Sequence, residues 1–167
     1  MMIRVYNTLS RTKEPFETLE EGKVSMYVCG PTVYDNAHVG HAMSSLVFDI
    51  IRRYLEYRKY EVKHVMNYTD VDDKIIDRAN HEKVDPIELA ERYISEYADH
   101  IKELNILPAS VYPRATEEID SIVKMVRDLG EADYAYEVNG DVYFRVKNDD
   151  DYGKLSNRKI EDMQAGA

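Results

Sequence analysis

A chain of 167 residues, 44% hydrophobic and 32% charged, has room for one domain plus a subdomain and for a real buried core. Twenty-two basic against thirty-two acidic residues leave a net charge of −10, which excludes a chain whose main task is to grip a phosphate backbone. No apolar run approaches the roughly 20 residues of a membrane span. The opening MMIRVYNTLS lacks the apolar stretch of a leader, and a single cysteine excludes an internal disulfide, so a cytoplasmic protein with no membrane partner is expected.

Residues 1–23 read as irregular, with one short strand around Ile3–Tyr6. VSMYVCG (24–30) is short, apolar and rich in β-formers, which predicts a buried strand ending at Cys29–Gly30. GPTVYDNA is a loop, with Pro31 and Asn36 as turn residues. From about Val39 the positions Leu46, Val47, Ile50, Ile51, Tyr54 and Leu55 recur at helical spacing and predict a helix to about Tyr57. EVKHVMNYT (61–69) is a second strand, so the segment forms a βαβ unit with parallel strands and a right-handed crossover. The C-terminal ends of both strands then share the edge where open α/β sheets bind ligands.

DVDDKIIDRANHE (70–82) resumes helical character, and Pro86 starts a helix with Leu89, Tyr93, Tyr97, Ile101 and Leu104 on one stripe. NILPASVYP (105–113) reads as a connector. ATEEIDSIVKMVRDLG is helical, with Thr116 as its cap and Gly130 as its stop. Two alternating runs around Asn139–Gly140 predict a type I′ hairpin, followed by a polar tail that ends on small residues.

The residues with chemical capacity gather at the predicted ligand edge. His38-Val39-Gly40-His41 falls at a loop-to-helix junction, where free backbone N–H groups and the helix dipole favour an anion. Two imidazoles there would add donors for a nucleotide whose α-phosphate gains charge, and Gly40 would admit a base or phosphate. The same four residues also suit a helix start with two exposed histidines. Cys29 is either a small buried hydrophobe or a zinc ligand, and no CxxC or HxxxH spacing supplies zinc partners. Asn67 and Thr69 end the second strand and could hydrogen-bond a ligand. Asp70, Asp72 and Asp73 could hold a cation, or cap the next helix with Asp70 and carry an acidic first turn. On spacing the cap is the better account.

MYVCGPTVYDNAHVGHA and NYTDVDDKII closely resemble the two N-terminal motifs of the cysteinyl-tRNA synthetases, a class I aminoacyl-tRNA synthetase family, and HVGH is similar to the class I HIGH signature. IRVYNTLSRTKEPF, LNILPASVYPRATEEI, NGDVYF, DYGKLS and QAGA are similar in the same order, so the resemblance covers the whole chain. It implies an α/β fold: the first half of a Rossmann-like (HUP-type) nucleotide-binding domain over residues 1–107, with an inserted α+β connective subdomain from 108 to 167.

The activity implied is ATP-dependent conversion of L-cysteine to cysteinyl-adenylate and transfer to tRNA(Cys), by an expected monomer. His38 and His41 are implied as catalytic, with Gly40, Ser44, Asn67 and Thr69 against ATP or adenylate. Gly30, Thr32 and Thr69 are implied around the amino acid. Cys29 is implied as one ligand of a Zn2+ that selects cysteine through its thiolate, and Mg2+ is expected with ATP. The family commonly carries Arg where Met43 follows Ala42. Its KMSKS-type loop, other zinc ligands and tRNA-binding helical domains have no counterpart here, so an N-terminal fragment, inactive in isolation, is expected. Two other functions compete: a cysteinyl-adenylate-forming ligase of mycothiol biosynthesis, and a non-catalytic nucleotide-binding module.

Overall fold

A computed structural model describes residues 2–162 and divides them into two compact units: 18–119, and 2–17 together with 120–162. In the first unit, β3 (Lys23–Val28), α1 (Val39–Tyr57) and β4 (Glu61–Met66) form the expected βαβ motif, with β3 and β4 parallel from Lys23↔Glu61 to Val28↔Met66. Two strands precede it in the other unit, β1 (Arg4–Asn7) and β2 (Thr12–Pro15).

Alternate residues Val24, Val28, His64 and Met66 of the parallel pair are buried. Helices α2 (Asp73–Glu82) and α3 (Pro86–Glu103) add Ile75, Ala79, Leu89, Tyr93 and Tyr97 to the core. Asp85 caps α3 by accepting from the N–H groups of Ile87 and Glu88, with Pro86 at the first helical position, where no backbone donor is missed.

The connector after α3 is held along the sheet. Val111 bridges Val65 of β4 in parallel and Arg114 bridges Tyr68 just beyond it, so residues 111–114 run beside β4 through isolated pairings and form no regular strand. Met66 N–H donates to the Val111 carbonyl at 3.1 Å and Tyr68 N–H to the Pro113 carbonyl at 2.9 Å. Pro113 lacks a donor but its carbonyl serves, which is why a proline is tolerated on this edge.

Helix α1 has the predicted bounds and an unexpected orientation. Ser45 and Asp49 are among its buried residues, while Val39, Met43, Val47, Ile50 and Tyr54 are exposed, Val39 by 85%. The inner face works by hydrogen bonds. Asp49 accepts from Leu107 N–H at 3.0 Å and from Arg53 Nε at 2.6 Å; Arg52 donates to the Pro108 carbonyl and Arg53 to that of Asn105. These bonds fasten the connector to α1. Beneath them His64 is 4% exposed, and neither ring nitrogen has a hydrogen-bond partner. Burial pushes its pKa below the ordinary value, Arg52 adds to this, and Asp49 opposes it.

In the second unit, β1 and β2 pair antiparallel, so the strand expected near Ile3–Tyr6 has a partner that TKEP does not advertise. Helix α4 (Ile119–Glu131) follows a short 3-10 turn, Ala115–Glu118, that closes the first unit. Gly130 lies inside α4, and the left-handed residue beyond its end is Asp133 at φ 60°. β5 (Ala135–Val138) and β6 (Asp141–Phe144) form the hairpin, with Asn139 at φ 55° and Gly140 at φ 92° as a type I′ turn requires. QAGA (164–167) lies outside the described residues. No helix among them is long and apolar enough to cross a membrane.

Candidate active site

The histidine pair is built by the start of α1. His38 is its N-cap, and His38 Nδ1 accepts from Gly40 N–H at 3.0 Å. His41 returns the contact: its Nδ1 accepts from His38 N–H at 3.3 Å, completing a capping box. The two rings stack with centroids 3.9 Å apart and planes at 18°. Because Nδ1 of each ring is an acceptor, the proton of each neutral imidazole sits on Nε2. Desolvation lowers the His41 pKa, and the adjacent His38 ring lowers it further, so His41 favours the neutral form.

Gly40 serves this arrangement directly. A Cβ there would stand 2.9 Å from His38 Cε1 and 3.0 Å from its Nδ1, so the space gained is filled by the capping imidazole.

A cavity of about 250 Å³ brings Cys29, Gly30, Thr32, His41 and Ser44 together, with Ser45, Met66 and Tyr97 also in its lining. His38 stacks on His41 and does not line it. Asn67 and Thr69 also stand outside the lining, tied to each other by Asn67 Nδ2 donating to Thr69 Oγ1 at 3.3 Å. Thr32 and Thr69 form a parallel bridge, and Val33, 2% exposed, anchors the loop in the core. Pockets for drug-sized ligands run to about 300–1,000 Å³, so this space suits an amino acid better than a whole nucleotide.

Cys29 is exposed, which removes the buried-hydrophobe reading. Its thiol donates only to the Gly30 carbonyl, at 3.7 Å. No group of three or more His, Cys, Asp or Glu among the described residues is placed to hold a metal ion. A tetrahedral zinc requires four ligands, so the described residues supply one sulfur donor and do not fit a complete zinc centre.

The acidic cluster is structural. Asp70 accepts from Thr116 N–H at 3.0 Å and from Thr116 Oγ1 at 2.6 Å, while Asp72 caps α2 by accepting from Lys74 N–H. The cap therefore falls two residues later than expected, and Thr116 holds Asp70 instead of capping its own helix. Sequence reasoning missed the cavity floor, where Ser45 Oγ and Tyr97 OH lie 2.8 Å apart and Tyr97 OH donates to Met66 Sδ at 3.6 Å. Tyr97 was legible as part of an apolar stripe; nothing in that stripe distinguishes its hydroxyl.

Residues 15–167 match the family described as the class I (C) tRNA synthetase catalytic domain. The chain is 56% identical over its full length to a cysteine–tRNA ligase of Thermococcus onnurineus, covering 35% of that protein. It is 54% identical to those of Lachnoclostridium phytofermentans and Pyrococcus furiosus, over 99% of this chain and 35% of each relative. The chain thus spans about a third of the length of these curated relatives. Its fold resembles Mycobacterium tuberculosis methionyl-tRNA synthetase in complex with methionyl-adenylate, with a TM-score of 0.60, 23% identity, and coverage of 67% of this chain and 23% of that one.

Proposed function

As a member of the class I (C) tRNA synthetase catalytic-domain family, this chain is, we propose, the amino-acid-activating N-terminal part of a cysteine–tRNA ligase. The proposed first step joins L-cysteine to ATP: a carboxylate oxygen attacks the α-phosphorus, and the bond to the leaving pyrophosphate breaks. The terminal ribose hydroxyl of tRNA(Cys) then attacks the carbonyl carbon, and AMP leaves.

The observation that carries this reading is the stacked His38–His41 pair beside the cavity that holds Cys29. Neutral imidazoles with the proton on Nε2 are donors, and donors fixed before reaction stabilise charge that develops on an α-phosphate oxygen. In the proposal His41 donates from the cavity wall and His38 fixes its ring. Gly30, Thr32 and Ser44 surround the amino acid, with Thr69 supporting Thr32 through the bridge beyond β4. Gly40 allows the histidine geometry beside the nucleotide.

Cys29 is assigned as one ligand of a Zn2+ whose other ligands lie outside the described residues, and Mg2+ as the companion of ATP. An exposed, unpaired thiol supports a reducing, cytoplasmic location for a protein we take to be a monomer. The connective insertion, expected from 108, is assigned from 120 onward, which the helix and hairpin between 119 and 144 support, since residues 108–119 belong to the first unit.

Cysteine-dependent ATP–pyrophosphate exchange, measured on this chain and on the product of its whole reading frame, tests the function. Exchange is expected only where the polypeptide has the relatives' length, with transfer to tRNA(Cys) rather than to glucosaminyl-inositol. A full-length product without cysteine-dependent exchange would sink the reading.

A further inference from the structure

The parallel ladder between β3 and β4 does not run unbroken into the site. Its last regular pair is Val28↔Met66 and pairing resumes at Thr32↔Thr69. Three residues, Cys29, Gly30 and Pro31, therefore oppose two, Asn67 and Tyr68. This is a one-residue bulge, a device that is rare between parallel strands and re-aims a side chain. Within it Gly30 N–H donates to the side-chain Oδ1 of Asn67 at 3.0 Å. The same oxygen accepts from Tyr27 OH at 2.9 Å, and Asn67 Nδ2 reaches Thr69 Oγ1. The two backbones also cross closely here, since a Cβ on Gly30 would meet the Asn67 carbonyl oxygen at 1.7 Å.

We infer that Asn67 is a positioning residue for Cys29: its amide bridges the bulge and fixes the direction in which the thiol leaves the sheet edge. With Oδ1 occupied by two protein donors and Nδ2 engaged with Thr69, the amide acts on the strand end opposite it. Cys29 then stands at the bulge with an exposed thiol and no protein partner except its neighbour's carbonyl. The consequence for catalysis rests on the function proposed above, through the role of Cys29.

The test uses the 167-residue chain, in which Cys29 is the sole cysteine, so iodoacetamide alkylation followed by mass reports on this thiol alone. In Asn67→Ala, exchange of the Gly30 amide is expected to rise about tenfold, the effect of one lost hydrogen bond, while the Val28 and Met66 amides hold. The alkylation rate is expected to shift by about threefold or more as the bulge relaxes. Asn67→Asp keeps an acceptor for Gly30 and Tyr27 and should return both readouts to within about twofold of wild type.

If Asn67→Ala does not fold, Tyr27→Phe removes one donor at the surface and should still shift alkylation relative to Asn67→Asp. Unchanged Gly30 exchange and alkylation in the alanine variant, or equal loosening of every β3 and β4 amide, would overturn the assignment. So would an aspartate variant that behaves like alanine, or, where the alanine variant does not fold, a Tyr27→Phe chain alkylated like wild type. Absent cysteine activation would count against the proposed function and leave both readouts in place.

Discussion

Gly30 and the Asn67 carbonyl approach too closely for any side chain: a Cβ on Gly30 would lie 1.7 Å from that oxygen and 3.0 Å from Met66 Cγ. The obstacle is backbone, so Gly30→Ala must part the strand ends that carry Cys29 and Thr69. A loss of about 1–3 kcal/mol or more is expected, the usual cost of overpacking, read from urea denaturation of the chain.

Gly130 is the contrasting case. It lies within α4, and a Cβ there would meet nothing within 4 Å. Gly130→Ala should therefore stabilise by about 0.5–1 kcal/mol through the helix-forming advantage of alanine. An unchanged or lower unfolding midpoint would contradict the placement of Gly130 inside the helix.

His38 has a structural role and a proposed chemical one, and the two are separable. His38→Ala should cost about 0.5–2 kcal/mol by removing the N-cap. His38→Asn keeps a capping acceptor, so its stability should stay close to wild type. In a full-length enzyme, His41→Ala should lower the exchange rate by about 10²–10³, the effect of one lost donor to developing charge. A His41→Ala enzyme as fast as wild type would remove that ring from the chemistry.

His64 predicts a pH dependence with a definite sign. Its folded pKa is lowered from the ordinary 6.5, so near and below that value the unfolded chain binds more protons than the folded one. Stability is complete above the unfolded value and declines as pH falls below it, levelling once the folded ring titrates. His41 is shifted in the same direction and adds to the slope. His64→Leu should flatten the decline between about pH 7 and pH 5, measured as the urea midpoint against pH. A variant with the wild-type slope would assign the dependence to other groups.

What the sequence revealed follows the range of the interaction responsible. The βαβ motif, the bounds of α1 and the Asn139–Gly140 turn depend on local periodicity and local φ, and the structure has all three. The partner of β1 and the bridges made by Val111 and Arg114 depend on pairing across distance, and neither TKEP nor a proline-rich connector carries a strand pattern. Within the site, the clustering of Cys29, Gly30, Thr32 and His41 follows from strand ends meeting at one edge. The exposure of Cys29 does not, because it depends on a bulge whose second strand lies some forty residues further along. The cap is Asp72 and not the expected Asp70, because Asp70 is held by Thr116, equally remote in sequence.

The outward stripe of α1 also governs how this chain behaves in solution. Large apolar side chains from Val39 to Tyr57 face water along a helix of 19 residues, about 28 Å in length. Colloidal stability then depends on mutual repulsion from the net charge of −10 outweighing contact between stripes. Added salt screens that repulsion, and acid neutralises it. Light scattering should therefore rise with protein concentration, with ionic strength and with acidification, and Ile50→Glu should suppress all three.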